Sequence, residues 1–240
     1  MKEITIRKPE MSFFNNEAFK SIRTNLIFCG LDKKVIAFTS CFAGDGKTST
    51  VFRLALSLAE SGRMVLVMDA DLRNSGMLGA ASISADKITV GLSHVLSGQN
   101  PAQDAVYSTN VENLRMVFSG PFAPNPSELL ASRIFRDMIA DLRGLFDFIL
   151  IDTPPIGMVI DAAVICDVCD GSVLVLSSGA TRVKMAKEAK AQLEKTGKPI
   201  LGAILNNVKV SGSGHRKYGK YSRQYGAEFT AQEKNGRGRK

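Results

Sequence analysis

Five consecutive residues, Gly44-Asp45-Gly46-Lys47-Thr48, constrain this chain more than any other stretch. They lie between a short apolar run, residues 35–40 (VIAFTS), and a segment with helical spacing, residues 47–60 (KTSTVFRLALSLAE), that Gly62 stops. Glycines let backbone N–H groups turn inward around phosphate oxygens, where a Cβ would clash. The helix that follows adds positive partial charge at its N-terminus. In such a loop Lys47 reaches the β- and γ-phosphates of a nucleotide and the Thr48 hydroxyl coordinates Mg²⁺. Ala43, Gly44, Asp45, Gly46, Lys47, Thr48 and Ser49 are therefore the expected phosphate-binding loop. The strict spacing G-x-x-x-x-G-K-[ST] is not met, because Cys41 stands at its first glycine. A glycine turn that binds nothing is the competing reading.

Further apolar runs at 64–69, 113–118, 147–152, 172–177 and 200–205 read as strands, and 17–29, 126–142 and 181–195 read as helices. Strands that are continuously apolar and alternate with helices imply an α/β fold: a doubly wound, mostly parallel sheet with helices on both faces. In the helix over 17–29, Ala18, Ile22 and Leu26 fall on one face, with Glu17, Lys20 and Arg23 on another. Two strands end in carboxylates, VLVMDADLR in Asp69 and Asp71, and FILIDTPP in Asp152. Strand C-termini converge on the ligand crevice of such a sheet. Carboxylates gathered there call for a cation, which Mg·ATP supplies, and Asp152 is the expected direct or indirect Mg²⁺ holder. No guanine-reading N-K-x-D occurs, so adenine is expected. The expected organisation is an N-terminal segment (1–32), a nucleotide-binding domain (33–208) and a basic tail (209–240).

The chain's net charge is +8, and residues 209–240 carry nine Lys or Arg against two Glu, so the tail holds +7 of it. Such a tail could meet nucleic acid, anionic lipid or an acidic protein site, or only solubilise the chain. Of four tyrosines, Tyr218, Tyr221 and Tyr225 fall within HRKYGKYSRQYG. Aromatics spaced by Gly, Ser and basic residues suit entry into an acidic, ATP-bearing site, and they also suit stacking on single-stranded nucleic acid. No signal peptide and no run of about 18 apolar residues is visible, so the expected place is the cytoplasm. Cys29, Cys41, Cys166 and Cys169 fit a reducing compartment, and the C-x-x-C at 166–169 sits in an apolar run that reads as core.

Taken in order, EAFKSIRTN, FAGDGKTS, VLVMDADLR, PNPSELL (124–130), FILIDTPP, GAILNN (202–207) and the terminal tyrosines resemble the bacterial tyrosine kinases of capsule and exopolysaccharide synthesis, of the type made as a separate cytoplasmic subunit. The resemblance covers nearly the whole chain. It implies a P-loop NTPase scaffold related to ParA and MinD, with ATP and Mg²⁺ as cofactors and phosphorylation of the tail tyrosines from one subunit to the next. On the matching positions, Lys47, Asp69, Asp71 and Asp152 would be catalytic. Thr48, Asp69 and Asp152 would hold the metal, and Tyr218, Tyr221 and Tyr225 would accept phosphate. Glu17, Lys20 and Arg23 would join subunits into a ring, although Lys20 replaces the family's usual Arg and cannot make its bidentate contact. Ala43 stands where the family often has Pro. The resemblance also implies a transmembrane adaptor of the polysaccharide co-polymerase type, recruitment by it to the inner face of the membrane, a cognate phosphotyrosine phosphatase and no nucleic-acid partner. A ParA/MinD-like ATPase switch without kinase activity is the alternative. Phe42, standing where that branch places its signature lysine, and the tyrosine cluster speak against it.

Overall fold

The computed structural model describes residues 2–209. Among them are eight strands: β1 Lys2–Ile4, β2 Val35–Ser40, β3 Val65–Asp69, β4 Tyr107–Thr109, β5 Leu114–Val117, β6 Phe148–Asp152, β7 Gly171–Ser177 and β8 Ile200–Asn206. The helices are α1 Phe13–Phe28, α2 Lys47–Glu60, α3 Met77–Ala81, α4 Leu92–Leu96, α5 Pro126–Ala131, α6 Arg133–Arg143, α7 Asp161–Cys166 and α8 Val183–Glu194. The strands form one sheet in the order β1-β4-β5-β3-β6-β2-β7-β8. All pairs are parallel except the β4–β5 hairpin. Phe19, Leu26, Phe52, Leu54 and Met77 from α1, α2 and α3 cover one face of the sheet. Phe135, Met138, Ile165 and Leu193 from α6, α7 and α8 share the core on the other. This is the doubly wound architecture expected from the sequence.

Every residue of β2, β3 and β6 is buried, which their unbroken apolar runs require of a sheet covered on both sides. These three strands are neighbours, and the register sets Asp69 of β3 beside Asp152 of β6, which in turn faces Phe38 of β2. The loop after β2 therefore starts beside two carboxylates. Helix α2 holds that loop rigidly, since it buries Val51, Phe52, Leu54, Ala55 and Leu58. Each large side chain so buried contributes about 1.5–3 kcal/mol.

Three local readings need correction. Ser12 caps α1 by accepting from the Asn15 N–H at 3.2 Å, so the helix begins at Phe13 and not at 17. Leu26 is buried on that helix as expected, but its other buried residue is Phe19 and not the exposed Ala18, because the larger apolar side chain gains more from burial. The helix expected over 126–142 is two, because Ser132 takes an extended conformation and its hydroxyl caps α6 at the Phe135 N–H, 3.3 Å away. Strands β1 and β4, each three residues long, were not legible as strands. Among the described residues no helix is long and apolar enough to cross a membrane.

Candidate active site

The loop after β2 folds as its glycines require. Gly44 and Gly46 have φ of 88° and 81°, in the left-handed region. A Cβ on Gly46 would fall 2.0 Å from the Asn206 amide nitrogen, so only glycine fits there. Cys41 is buried and lies outside the positive-φ residues, which explains why the first glycine of the strict pattern can be replaced. Burial pushes its thiol up to about 11, so it stays protonated. The Asp45 side chain ties the loop down by accepting from the Phe42 N–H at 3.0 Å and from the Thr181 hydroxyl at 3.1 Å. On its other side, Asn206 at the end of β8 donates to the Asp45 carbonyl at 3.0 Å. The loop borders a cleft of about 400 Å³ whose walls include Phe42, Lys47, Thr48, Asp71, Arg73 and Met158. Ala43, Gly44 and Ser49 also line it.

At the head of α2 two side chains converge on Asp152. Lys47 Nζ donates to its Oδ1 at 2.5 Å and the Thr48 hydroxyl to its Oδ2 at 2.7 Å. Lys47 and Asp152 are 6% and 0% exposed, so a charge pair is held away from water where either partner alone would be costly. Asp69 lies beside them, fully buried, with the Ser75 hydroxyl donating to Oδ2 and the Asp71 N–H to Oδ1 at 3.2 Å. Burial, with Asp152 adding repulsion, pushes its carboxyl up to about 7. Asp71, two residues past the end of β3, is held by the N–H groups of Arg73 (3.2 Å) and Asn74 (2.9 Å) on Oδ1. Burial raises its pKa as well, more than those two bonds lower it.

Beyond the expected residues stands a fourth carboxylate, Asp161. Arg73 binds the fully buried Asp161 at the start of α7 in two-point fashion, Nε to Oδ2 at 2.6 Å and Nη2 to Oδ1 at 3.1 Å. Ser127 of α5 donates to the same Oδ1 at 2.5 Å and accepts from Arg73 Nη2 at 3.1 Å. Burial alone would raise the Asp161 carboxyl, but the bonds from Arg73 and Ser127 outweigh it and hold it below the usual range. Sequence reasoning assigned these three residues no role. The signals were present in VLVMDADLR and PNPSELL, but nothing in either motif names Asp161 as the shared partner.

The residues fit Mg²⁺ that arrives with a nucleotide. Thr48 Oγ1 and Asp152 Oδ2 form a pair of hard oxygen donors beside the phosphate cradle. Among the described residues no three His, Cys, Asp or Glu side chains gather closely enough to hold a metal unaided. Mg²⁺ is ordinarily bound by one or two protein carboxylates plus phosphate and water, so no larger cluster is needed.

Residues 33–196 match the family model described as an AAA domain. The tyrosine-protein kinase CpsD of Streptococcus agalactiae is 42% identical over 222 residues, spanning 92% of this chain and 96% of that protein. The chain belongs to the bacterial tyrosine-protein kinase family. Its fold agrees, since the kinase domain of the Escherichia coli tyrosine kinase ETK superposes with a TM-score of 0.76 at 30% identity, covering 84% of this chain and 82% of that one. The septum site-determining protein MinD of Pyrococcus horikoshii, solved with Mg-ADP, superposes with a TM-score of 0.62 at 26% identity over 76% of each chain. The family's P-loop NTPase scaffold is thus shared with nucleotide-binding ATPases.

Within this kinase fold, the remaining expected residues lie in different places. Glu17, Lys20 and Arg23 sit on α1, on the sheet face that α2 covers. Glu17 and Lys20 pair with each other at 2.7 Å on the surface, and Arg23 donates to the Ser57 carbonyl of α2 at 2.7 Å. Tyr218, Tyr221 and Tyr225 lie outside the described residues. The fourth tyrosine, Tyr107, is fully buried, with its hydroxyl bonded to the N–H and carbonyl of Val90, both at 3.0 Å. Cys166 and Cys169 are buried core residues whose thiols are raised by burial.

Proposed function

We propose that this chain is an ATP-dependent protein-tyrosine autokinase that phosphorylates Tyr218, Tyr221 and Tyr225 of a neighbouring copy and so regulates capsular or exopolysaccharide synthesis and export. The observation that carries the reading is the meeting of Lys47, Thr48 and Asp152 at the head of the glycine loop, with Asp69 and Asp71 beside them. Backbone N–H groups of residues 43–49 take the phosphates, and Lys47 exchanges Asp152 for phosphate oxygens. Thr48, Asp69 and Asp152 hold Mg²⁺, which neutralises charge on the phosphates. The tyrosine oxygen attacks the γ-phosphorus, the bond to the β-phosphate oxygen of departing ADP breaks, and the phenolic proton passes to Asp71. A phenol titrates near 10, so a base is needed at neutral pH, and the buried setting of Asp71 strengthens it as one.

Tyr107 cannot serve as acceptor because its hydroxyl is engaged in the core. The basic tail instead complements the acidic cleft. Three phosphates of about −1.5 to −2 each offset most of the tail's +7, releasing it from its neighbour and loosening a ring joined through Glu17, Lys20 and Arg23. A transmembrane adaptor of the polysaccharide co-polymerase type recruits the cytoplasmic chain to the membrane, and a phosphotyrosine phosphatase resets it. Two variants test the reading. Lys47→Met with an intact tail is mixed with a copy whose three tail tyrosines are Phe, in Mg·ATP and a cytoplasmic fragment of the adaptor. Phosphotyrosine on the Lys47→Met copy supports transfer between subunits, and its absence from both the mixture and the parent overturns the kinase reading in favour of an ATPase switch. The phosphate-driven loosening of the ring fails if the triple Phe variant shows the same assembly state with ATP as the parent does.

A further inference from the structure

We propose that Arg73, clamped by Asp161 and Ser127, is a positioning residue that sets the geometry of the segment carrying Asp69 and Asp71. The inference rests on the phosphoryl-transfer reading above. Residues 70–76 leave the end of β3 and reach α3 with no regular structure of their own. Their conformation nevertheless decides where two carboxylates point. The N–H groups of Arg73 and Asn74 fix Asp71, the N–H of Asp71 fixes Asp69 Oδ1, and the Ser75 hydroxyl fixes Asp69 Oδ2. Each of these donors belongs to the segment itself, so none ties it to the rest of the protein. The start of the segment is anchored by the Ala70 N–H, which donates to the Asp152 carbonyl at 2.8 Å, and by buried Leu72, and the Arg73 guanidinium ties its far half to the neighbouring helices. It reaches Asp161 at the head of α7 through two bonds, and Ser127 of α5 closes the triangle.

The chemistry suits a clamp better than a surface ion pair. Asp161 is fully buried, so its charge is not screened by water, and the planar guanidinium fixes distance and orientation together. A lysine would hold only one point. The pairing has a second consequence. Arg73 lies two residues from Asp71 and lines the same cleft, so an unclamped guanidinium is free to fold onto Asp71 and occupy the group assigned to take the phenolic proton. Asp161 and Ser127 keep it parked on the α5–α7 side. Helices α5 and α7 pack on one another, so the clamp joins the carboxylate segment to a firm platform.

Steady-state kinetics of the full chain with Mg·ATP and the adaptor fragment test this. Asp161→Asn and Arg73→Gln are expected to lower kcat roughly 100-fold, the cost of displacing a reacting group by about 1 Å, while KM for ATP moves less than about threefold. Arg73→Lys recovers part of the loss and Ser127→Ala loses roughly threefold. The double variant Arg73→Gln/Asp161→Asn falls no lower than the poorer single variant, as residues of one network do. Ser127→Ala removes one hydroxyl from a half-buried site, so it keeps the fold even if Asp161→Asn does not. Unchanged kcat in Ser127→Ala and Arg73→Lys, or a loss confined to KM, overturns the clamp and leaves the kinase reading standing. A parent that transfers no phosphate overturns both.

Discussion

Asp69 and Asp161 are both fully buried carboxylates near the C-terminal ends of the central strands, and they sit in opposite electrostatic settings. Asp161 is matched by a guanidinium and a hydroxyl and is held below the ordinary range. Asp69 receives a hydroxyl and an N–H but has no cation of its own, faces Asp152 and is pushed up to about 7. Matched burial makes a fixed joint. Unmatched burial stores a demand for positive charge, which a metal-bound nucleotide would satisfy. The contrast separates a residue that holds the site from one proposed to act in it.

The largest break in this contrast is Lys47→Met. It should cut phosphate transfer roughly 1,000-fold or more. It should also destabilise the nucleotide-free protein by roughly 3–5 kcal/mol, because Asp152 is left buried without its partner. Both are read from initial rates and urea melts. Asp71→Asn should lose transfer by roughly 100- to 10,000-fold with little change in folding, since its carboxylate pairs only with backbone N–H groups of its own segment.

Replacing the two matched and unmatched carboxylates should give stability changes of opposite sign. Asp161→Asn is expected to cost roughly 1–3 kcal/mol, as loss of charged hydrogen bonds does, the lower end reflecting the partial exposure of Arg73. Asp69→Asn is expected to stabilise the nucleotide-free protein at pH 8 by roughly 1–4 kcal/mol. The sign follows from the raised value of Asp69. The unfolded group ionises near 3.8 and the folded one near 7, so the stability present below pH 4 is lost as pH rises toward 7. Asp161 behaves oppositely, since its lowered value adds stability above pH 4 that disappears as pH falls through it. Thermal melts from pH 4 to 8 should therefore show a gain for Asp69→Asn that grows with pH. A gain independent of pH, or a loss, contradicts the unmatched-burial account.

Much of this was legible in the sequence, and the limits were physical. The glycine loop, α2, β2, β3 and β6 were readable because buried parallel strands are continuously apolar and because glycine at positive φ leaves a residue-type signature. Asp69 and Asp152 were placed together by their positions at strand ends alone. The short strands β1 and β4 carry KEI and YST, whose periodicity is too brief to register. Ser132 splits a helix with a single cap that the apolar spacing runs straight across. Asp161 was invisible because its partners Arg73 and Ser127 lie 88 and 34 residues away.

Two smaller effects sharpen the picture. Gly46→Ala should weaken nucleotide binding, since the new Cβ both strains a left-handed backbone and displaces Asn206 from the Asp45 carbonyl. The backbone strain alone costs about 1 kcal/mol, and fluorescent-nucleotide titration reads the loss. Ser132→Ala, which removes only the cap of α6, should lower stability by about 1 kcal/mol and leave transfer rates unchanged.

Site-resolved mass spectrometry of the full chain after incubation with Mg·ATP and the adaptor fragment tests the central claim most directly. Phosphate on Tyr218, Tyr221 and Tyr225, none on the core-locked Tyr107, and none anywhere in Lys47→Met is the result this account predicts. ATP consumed with every tyrosine unmodified would contradict it.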